Sequence, residues 1–327
     1  MRVLLALLLM LLVTPRWMGE KKRVVAQGPV AVAARPVALD PDRPGLKRVG
    51  GLRYLGGVEL ASENRAFGGY SALAVDGDRF ALLGDKGNLL TFRMGPDWRP
   101  RDARARDLPA GPRTGWRDQH RDSESLAHDP ATGRWWVGFE VFNEVWRYGP
   151  GLRRAERGHA PPAMDGWPST GGAEAMARLR DGRFLVIAET ARPRRGGERP
   201  PGRVGLIFPR DPTDPRSTPA RFTYRPAPGH HPVDMAELPD GRVLVLERRF
   251  RLPYRWSNRL ALVERGAIRP GAAVAGRTLA VLAAPLLHDN FEGLAVAREG
   301  RTTVLWLVSD DNQLPVQRTL LLKFRIG

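Results

Sequence analysis

From Tyr70 onward, short apolar runs alternate with polar turn residues, at a spacing too tight for long helices and suited to β-hairpins. One phrase recurs: an acid, a small residue, Leu or Met, Ala, a turn, an apolar strand and a second acid. Its copies are Ser123–Glu140 (SESLAHDPATGRWWVGFE), Ala173–Glu189 (AEAMARLRDGRFLVIAE), Val233–Glu247 (VDMAELPDGRVLVLE) and Phe291–Asp310 (FEGLAVAREGRTTVLWLVSD). A weaker first copy is Tyr70–Asp85 (YSALAVDGDRFALLGD). Within a copy, the Asp-Gly or Thr-Gly-Arg step between two apolar runs signals a tight hairpin. Further strands are expected at 144–148, 204–208, 220–224, 260–264, 278–283 and 320–326.

About four strands per repeat of roughly 50 residues is the pattern of a β-propeller, whose blades are radial sheets around a channel. The sequence predicts an all-β fold with five four-stranded blades, or six if the longer intervals conceal one. The last copy is a strand short, and Gly51–Leu60 (GLRYLGGVEL) is a spare strand ahead of the first. Pairing the two closes the ring and removes exposed sheet edges.

The repeat places acids in phase. The leading position reads Ser71, Glu124, Glu174, Asp234 and Glu292, at spacings of 53, 50, 60 and 58 residues. The trailing position reads Asp85, Glu140, Glu189, Glu247 and Asp310. The innermost strand of a blade lines the channel, so the leading acids would form a ring at one height, with the trailing acids as a second tier. Like charges 4 Å apart repel by ~4 kcal/mol at an effective dielectric of 20. Three arrangements relieve this: protonation, pairing with arginine, or a bound cation. Without cysteine there is no thiolate ligand, and an all-oxygen set with few histidines suits Ca²⁺ or Mg²⁺ rather than Zn²⁺, with Ca²⁺ ahead of Mg²⁺. The predicted metal ligands are Glu124, Glu174, Asp234 and Glu292; Asp85, Glu140, Glu247, Asp310, Asp311 and Asn312 form the second tier. A structural alternative stands beside this one: leading acids that accept backbone N–H groups of the next blade, and trailing acids paired with arginines such as Arg183 or Arg242. His231, Glu189 and Arg121 are candidates for proton transfer and for holding an anion. No nucleophile-elbow, zincin, P-loop or dinucleotide motif occurs.

The phrases Asp122–Ala127 (DSESLA), Gly172–Met176 (GAEAM), Asp289–Val296 (DNFEGLAV) and Ser309–Leu322 (SDDNQLPVQRTLLL) resemble the bacterial phytase-like family, also described as having the esterase-like activity of phytase. The resemblance runs from about Gly50 to Phe324. It implies an exported propeller whose recurrent acids serve hydrolysis, and it carries over to Glu124, Glu174, Glu292, Asp310, Asp311 and Asn312. Ser71 departs from the acid pattern. The expected activity is cation-assisted hydrolysis of phosphoesters or related esters at one mouth of the channel, on a small anionic or ester substrate. A non-catalytic ligand-binding propeller of the cell envelope is the alternative.

Charge and the N-terminus add less. The formal net charge of +17 comes from 47 Arg against only 5 Lys, scattered along the chain. A solvated basic surface is the simpler reading, and no specific nucleic-acid partner is expected. Val3–Val13 is an apolar run too short to span a bilayer as a helix. Residues 1–26 are therefore read as a signal peptide or short membrane anchor, 27–48 as a Pro/Ala-rich tether, and 49–327 as the propeller. The expected location is periplasmic or secreted, as a monomer. Arg192–Arg203 is read as an exposed loop.

Overall fold

A computed structural model describes residue 24 and residues 27–194, 200–253 and 255–326. The signal-peptide reading falls outside these residues, as does the centre of the loop around 195–199. Five antiparallel sheets stand in a ring. The first blade runs from its inner strand outward through Tyr70–Asp76, Arg79–Gly84, Asn88–Met94 and Pro100–Asp107. The second uses Ser123–Asp129, Arg134–Phe139, Glu144–Tyr148 and Ala155–His159. The third uses Ala175–Arg178, Phe184–Ile187, Arg203–Phe208 and Ala220–Tyr224, and the fourth His231–Glu237, Val243–Arg251, Arg255–Val263 and Arg277–Ala283. Phe291–Glu299, Thr302–Ser309 and Thr319–Ile326 form the fifth blade, which Leu52–Ala61 completes. The last chain strand pairs with this early one from Thr319↔Leu60 to Ile326↔Leu52. Five blades and closure by the spare N-terminal strand are both as the repeat predicts.

The Asp-Gly-Arg turns explain the hairpins. Gly182 and Gly241 adopt φ of +87° and +84°, a region that costs other residues strain. The preceding Asp181 and Asp240 accept the backbone N–H of Arg183 and Arg242 and also grip their guanidinium groups at 2.7–2.9 Å. Arg183 and Arg242 therefore serve their own turns and are not partners of the trailing acids.

Because each strand alternates its side chains between two faces, both faces of every blade bury apolar residues against a neighbour. Among the described residues five large apolar clusters result, one at each blade interface. Leu83 and Val137 share the cluster between the first and second blades, and Met176 lies in the cluster between the second and third, where Phe184 packs on Trp136. Leu185 and Val243, Leu246 and Leu307, and Phe80 and Trp306 belong to the other three.

The segment expected to be a tether is part of the fold. Gln27–Pro29 pairs with the outer strand of the first blade, and Ala33–Pro36 with the outer strand of the fifth. Backbone donors and acceptors on two sheet edges are thereby satisfied, and one short strap crosses the seam between the blades where the ring closes. Proline and alanine gave it the composition of a linker, whereas its pairing is set by the two open edges.

Candidate functional site at the channel mouth

A β-bulge at the entry of the inner strand aims the acids inward. In the second blade, Phe139 pairs with Ser123 and Gly138 with Ser125, so Glu124 is left out of the ladder. The same slip leaves out Ser71 in the first blade and Glu292 in the fifth. In the third, Glu174 directly precedes the first ladder pair, Ala175↔Ile187. Bulges of this kind re-aim one side chain.

The fourth blade corrects the sequence alignment by one residue. There Pro232 pairs with Glu247 and Asp234 with Leu246, so Val233 occupies the bulge. Asp234 falls at the place of Ser125. Its two oxygens accept Met235 N–H at 2.7 Å and, across the blade interface, Leu294 N–H at 2.6 Å. Glu247 shifts likewise and is buried, accepting Tyr224 Oη (2.6 Å), Ala227 N (3.1 Å) and Arg259 Nη1 (2.8 Å). Asp234 and Glu247 thus hold blades together and do not join the ring. A slip of one residue moves a strand's side chains to the opposite face. His231 and Arg248, which pair with each other in the ladder, take the places of Asp122 and Glu140.

The mouth then divides in two. On one side, oxygens of Asp122, Glu124 and Glu140 all lie within 4.8 Å of one another. Burial and mutual repulsion push these acids up. Asp122 is raised to about 7, by burial first and Glu140 next. Glu124 is raised well above its usual range by burial, then by Glu174 and Asp122; Glu174 is raised by burial, then by Glu189 and Glu140. Burial also raises Glu140, against the Gly171 N–H that it accepts. Glu174 and Glu140 share a side-chain hydrogen bond, as do Glu124 and Asp122. Nearby Asp85 is raised to about 6 and Asp310 to about 7, chiefly by burial.

On the other side, Arg248 neutralises the acids. Its Nη2 lies 2.9 Å from Glu189 Oε1, and its Nη1 contacts Glu292 Oε1 and donates to Asn290 Oδ1 at 2.9 Å. His231 Nδ1 stands 3.8 Å from Glu189 Oε1, and burial lowers its pKa. Glu189, His231, Arg248, Phe250, Trp256, Asn290 and Asn312 line a cleft of about 380 Å³.

The remaining predicted residues serve other ends. Arg121 is buried and donates Nη1 to the carbonyls of Pro112 and His120, so it shapes the 112–120 loop. Asp311 accepts Gly69 N, Gln313 N and Thr319 Oγ1, tying its loop to the first blade. Asn312 donates its backbone N–H to Asp310 and its side chain to Gln317. Asp122 and Arg248 were missed. Asp122 had a signal in sequence, standing two residues ahead of a leading acid. Arg248 was masked by Glu247, which completed the repeat in the wrong register.

The trio fits a hard cation. Its donors are all carboxylate oxygens, and two oxygens sharing one Ca²⁺ at about 2.4 Å lie at most ~4.8 Å apart.

No curated protein matches this chain. Among solved structures, it is similar to a Kuenenia stuttgartiensis hydrazine synthase chain at 9% identity and a TM-score of 0.37, covering 78% of this chain and 60% of that one. It is also similar to YCF48 bound to a D1 peptide, at 10% identity and a TM-score of 0.35, covering 94% of both. The phytase-like family model, described as the esterase-like activity of phytase, matches residues 65–313. That span includes all five inner strands and every acid of the mouth, and the chain belongs to the phytase-like family.

Proposed function

We propose that this protein is an exported, cation-assisted hydrolase of phosphoesters or related esters, acting at the acidic mouth of its channel. The observation that carries this reading is the Asp122–Glu124–Glu140 trio, whose carboxylate oxygens all lie within 4.8 Å of one another, close enough to share one cation. These three would hold the ion, Ca²⁺ in preference to Mg²⁺, with Glu174 beside them. A divalent cation bound there supplies polarisation of a phosphoryl or carbonyl oxygen and a lowered pKa for attacking water.

The chain's own groups do the rest. Arg248 faces the cleft and orients an anionic substrate while Glu189 and Asn290 fix its guanidinium. Burial keeps the His231 imidazole neutral near pH 7, so it can accept a proton from water. Glu189, beside it, stabilises the imidazolium that forms.

The test is the Glu124→Gln/Glu174→Gln double variant, assayed for Ca²⁺ binding and for turnover of a phosphomonoester and carboxylester panel. We expect both to fall by at least about a hundredfold, given the size of metal and electrostatic contributions. Wild-type levels of both would sink the proposal. A non-catalytic ligand-binding propeller is favoured by one observation, the pre-existing neutralisation of Glu189 and Glu292 by Arg248. It predicts binding without turnover on the whole panel. Export through residues 1–26 is tested by fractionating cells that express the full chain.

A further inference from the structure

The middle hairpin of the fourth blade overshoots its neighbours. Val243–Arg251 and Arg255–Val263 are nine residues each and pair as far as Arg251↔Arg255. The inner strand stops pairing at His231↔Arg248, and the outer strand at Ser257↔Ala283. Beyond these points the hairpin is a two-stranded ribbon projecting over the mouth. Such a ribbon has little stability of its own in water.

Its inner face carries aromatic residues. Arg248 and Phe250 point the same way by the two-residue period of a strand, and Trp256 sits directly across from Phe250. The Phe250 and Trp256 ring centroids are 4.5 Å apart, and the Arg248 guanidinium is 5.7 Å from the Trp256 ring. Both rings line the same cleft as Arg248, His231 and Glu189, yet Phe250 remains 44% exposed. The Trp256 indole Nε1 is buried and meets no acceptor among the described residues. A partly exposed aromatic pair beside a guanidinium is an arrangement suited to a ligand with an apolar body and one charged head.

We infer that Phe250 and Trp256 form a platform selecting substrates that carry one phosphoryl group on an aromatic or bulky apolar organic part. For turnover this rests on the hydrolase reading; for binding it does not. Among the described residues Arg248 is the one guanidinium lining this cleft, set among the carboxylates of the mouth, so a polyol bearing many phosphates is disfavoured.

The test compares 3-phenylpropylphosphonate with n-propylphosphonate, which cannot be hydrolysed, by calorimetry on the Ca²⁺-supplemented full chain. We expect the phenyl compound to bind roughly tenfold more tightly, from ring stacking and apolar burial. Phe250→Ala and Trp256→Ala should each bring the ratio to within about twofold of unity, and Trp256→Phe should restore most of it. Phe250→Ala guards against misfolding of the tryptophan variant, because Phe250 is partly solvated. Equal binding of the two phosphonates by wild type, an unchanged ratio in Phe250→Ala, or tighter binding of inositol hexakisphosphate would overturn the inference. Failure of the hydrolase reading would appear separately, as absent turnover of the corresponding phosphates despite a preserved binding ratio.

Discussion

The second and fourth blades present equivalent backbone positions to the channel and fill them with opposite chemistry. The second offers Asp122, Glu124 and Glu140; the fourth offers His231, Val233 and Arg248. Around Arg248 the charges are already balanced by fixed pairs with Glu189 and Glu292. Around Glu124 the carboxyls crowd one another, and burial with mutual repulsion raises their pKa values. A propeller repeats geometry, so a ring of identical acids would be a uniform and costly concentration of charge. Replacing one blade's acids by a cationic group leaves the opposite side as the place where an added cation gains most.

The largest expected effect comes from removing the built-in cation. Arg248→Ala leaves Glu189 and Glu292 without their partner and should destabilise the fold by about 3 kcal/mol, the low end for breaking a buried pair because Arg248 keeps some solvent contact. Denaturant unfolding at pH 8 without added cation measures this. A loss below about 0.5 kcal/mol would mean that the two sides do not differ as described.

Next comes the structural acid. Asp234→Ala removes the acceptor of two backbone N–H groups, one across the interface with the fifth blade, and should cost about 2 kcal/mol. Ca²⁺ affinity should stay within about twofold of wild type, because Asp234 lies outside the ring.

The acidic side should respond in the opposite sense. Without added cation, Glu124→Gln should stabilise the protein at pH 8 by roughly 1 kcal/mol, because a neutral amide removes the cost of holding a titratable carboxyl among like charges. Destabilisation there would show that the carboxylate is satisfied as an anion.

The pH dependence follows from the same asymmetry. Asp122 and Asp310 are raised to about 7 and Asp85 to about 6, above the ordinary carboxylate range. The folded state therefore binds protons more tightly than the unfolded chain. Their contribution is fully present below about pH 4 and is lost as pH rises through 7. Added Ca²⁺ should offset this loss, with a stabilisation that grows from pH 5 to pH 8 as the ligands give up their protons. Thermal unfolding with Ca²⁺ or with chelator at the two pH values reads the effect, of order a few degrees.

Much of this was legible in the chain because a propeller writes its period into the sequence. The acids of the second, third and fifth blades, the five-fold count and the closing strand all follow from apolar spacing and turn residues. The fourth blade was misread because Asp234 and Glu247 complete the phrase at the right composition and the wrong register. Only the ladder pairing distinguishes a bulged Val233 from a bulged Asp234. The outer strands Pro100–Asp107 and Ala155–His159 were missed because charged residues on a solvated edge lack an apolar signature. The strap at 27–36 was missed because its order comes from edges contributed by strands far along the chain.

Calorimetric titration of Ca²⁺ into the wild type, Glu124→Gln and Asp234→Asn at pH 8 tests the central claim most directly. The account predicts a single site in the wild type, its loss in Glu124→Gln and its retention in Asp234→Asn. Absence of binding in the wild type, or equal loss in both variants, would contradict it.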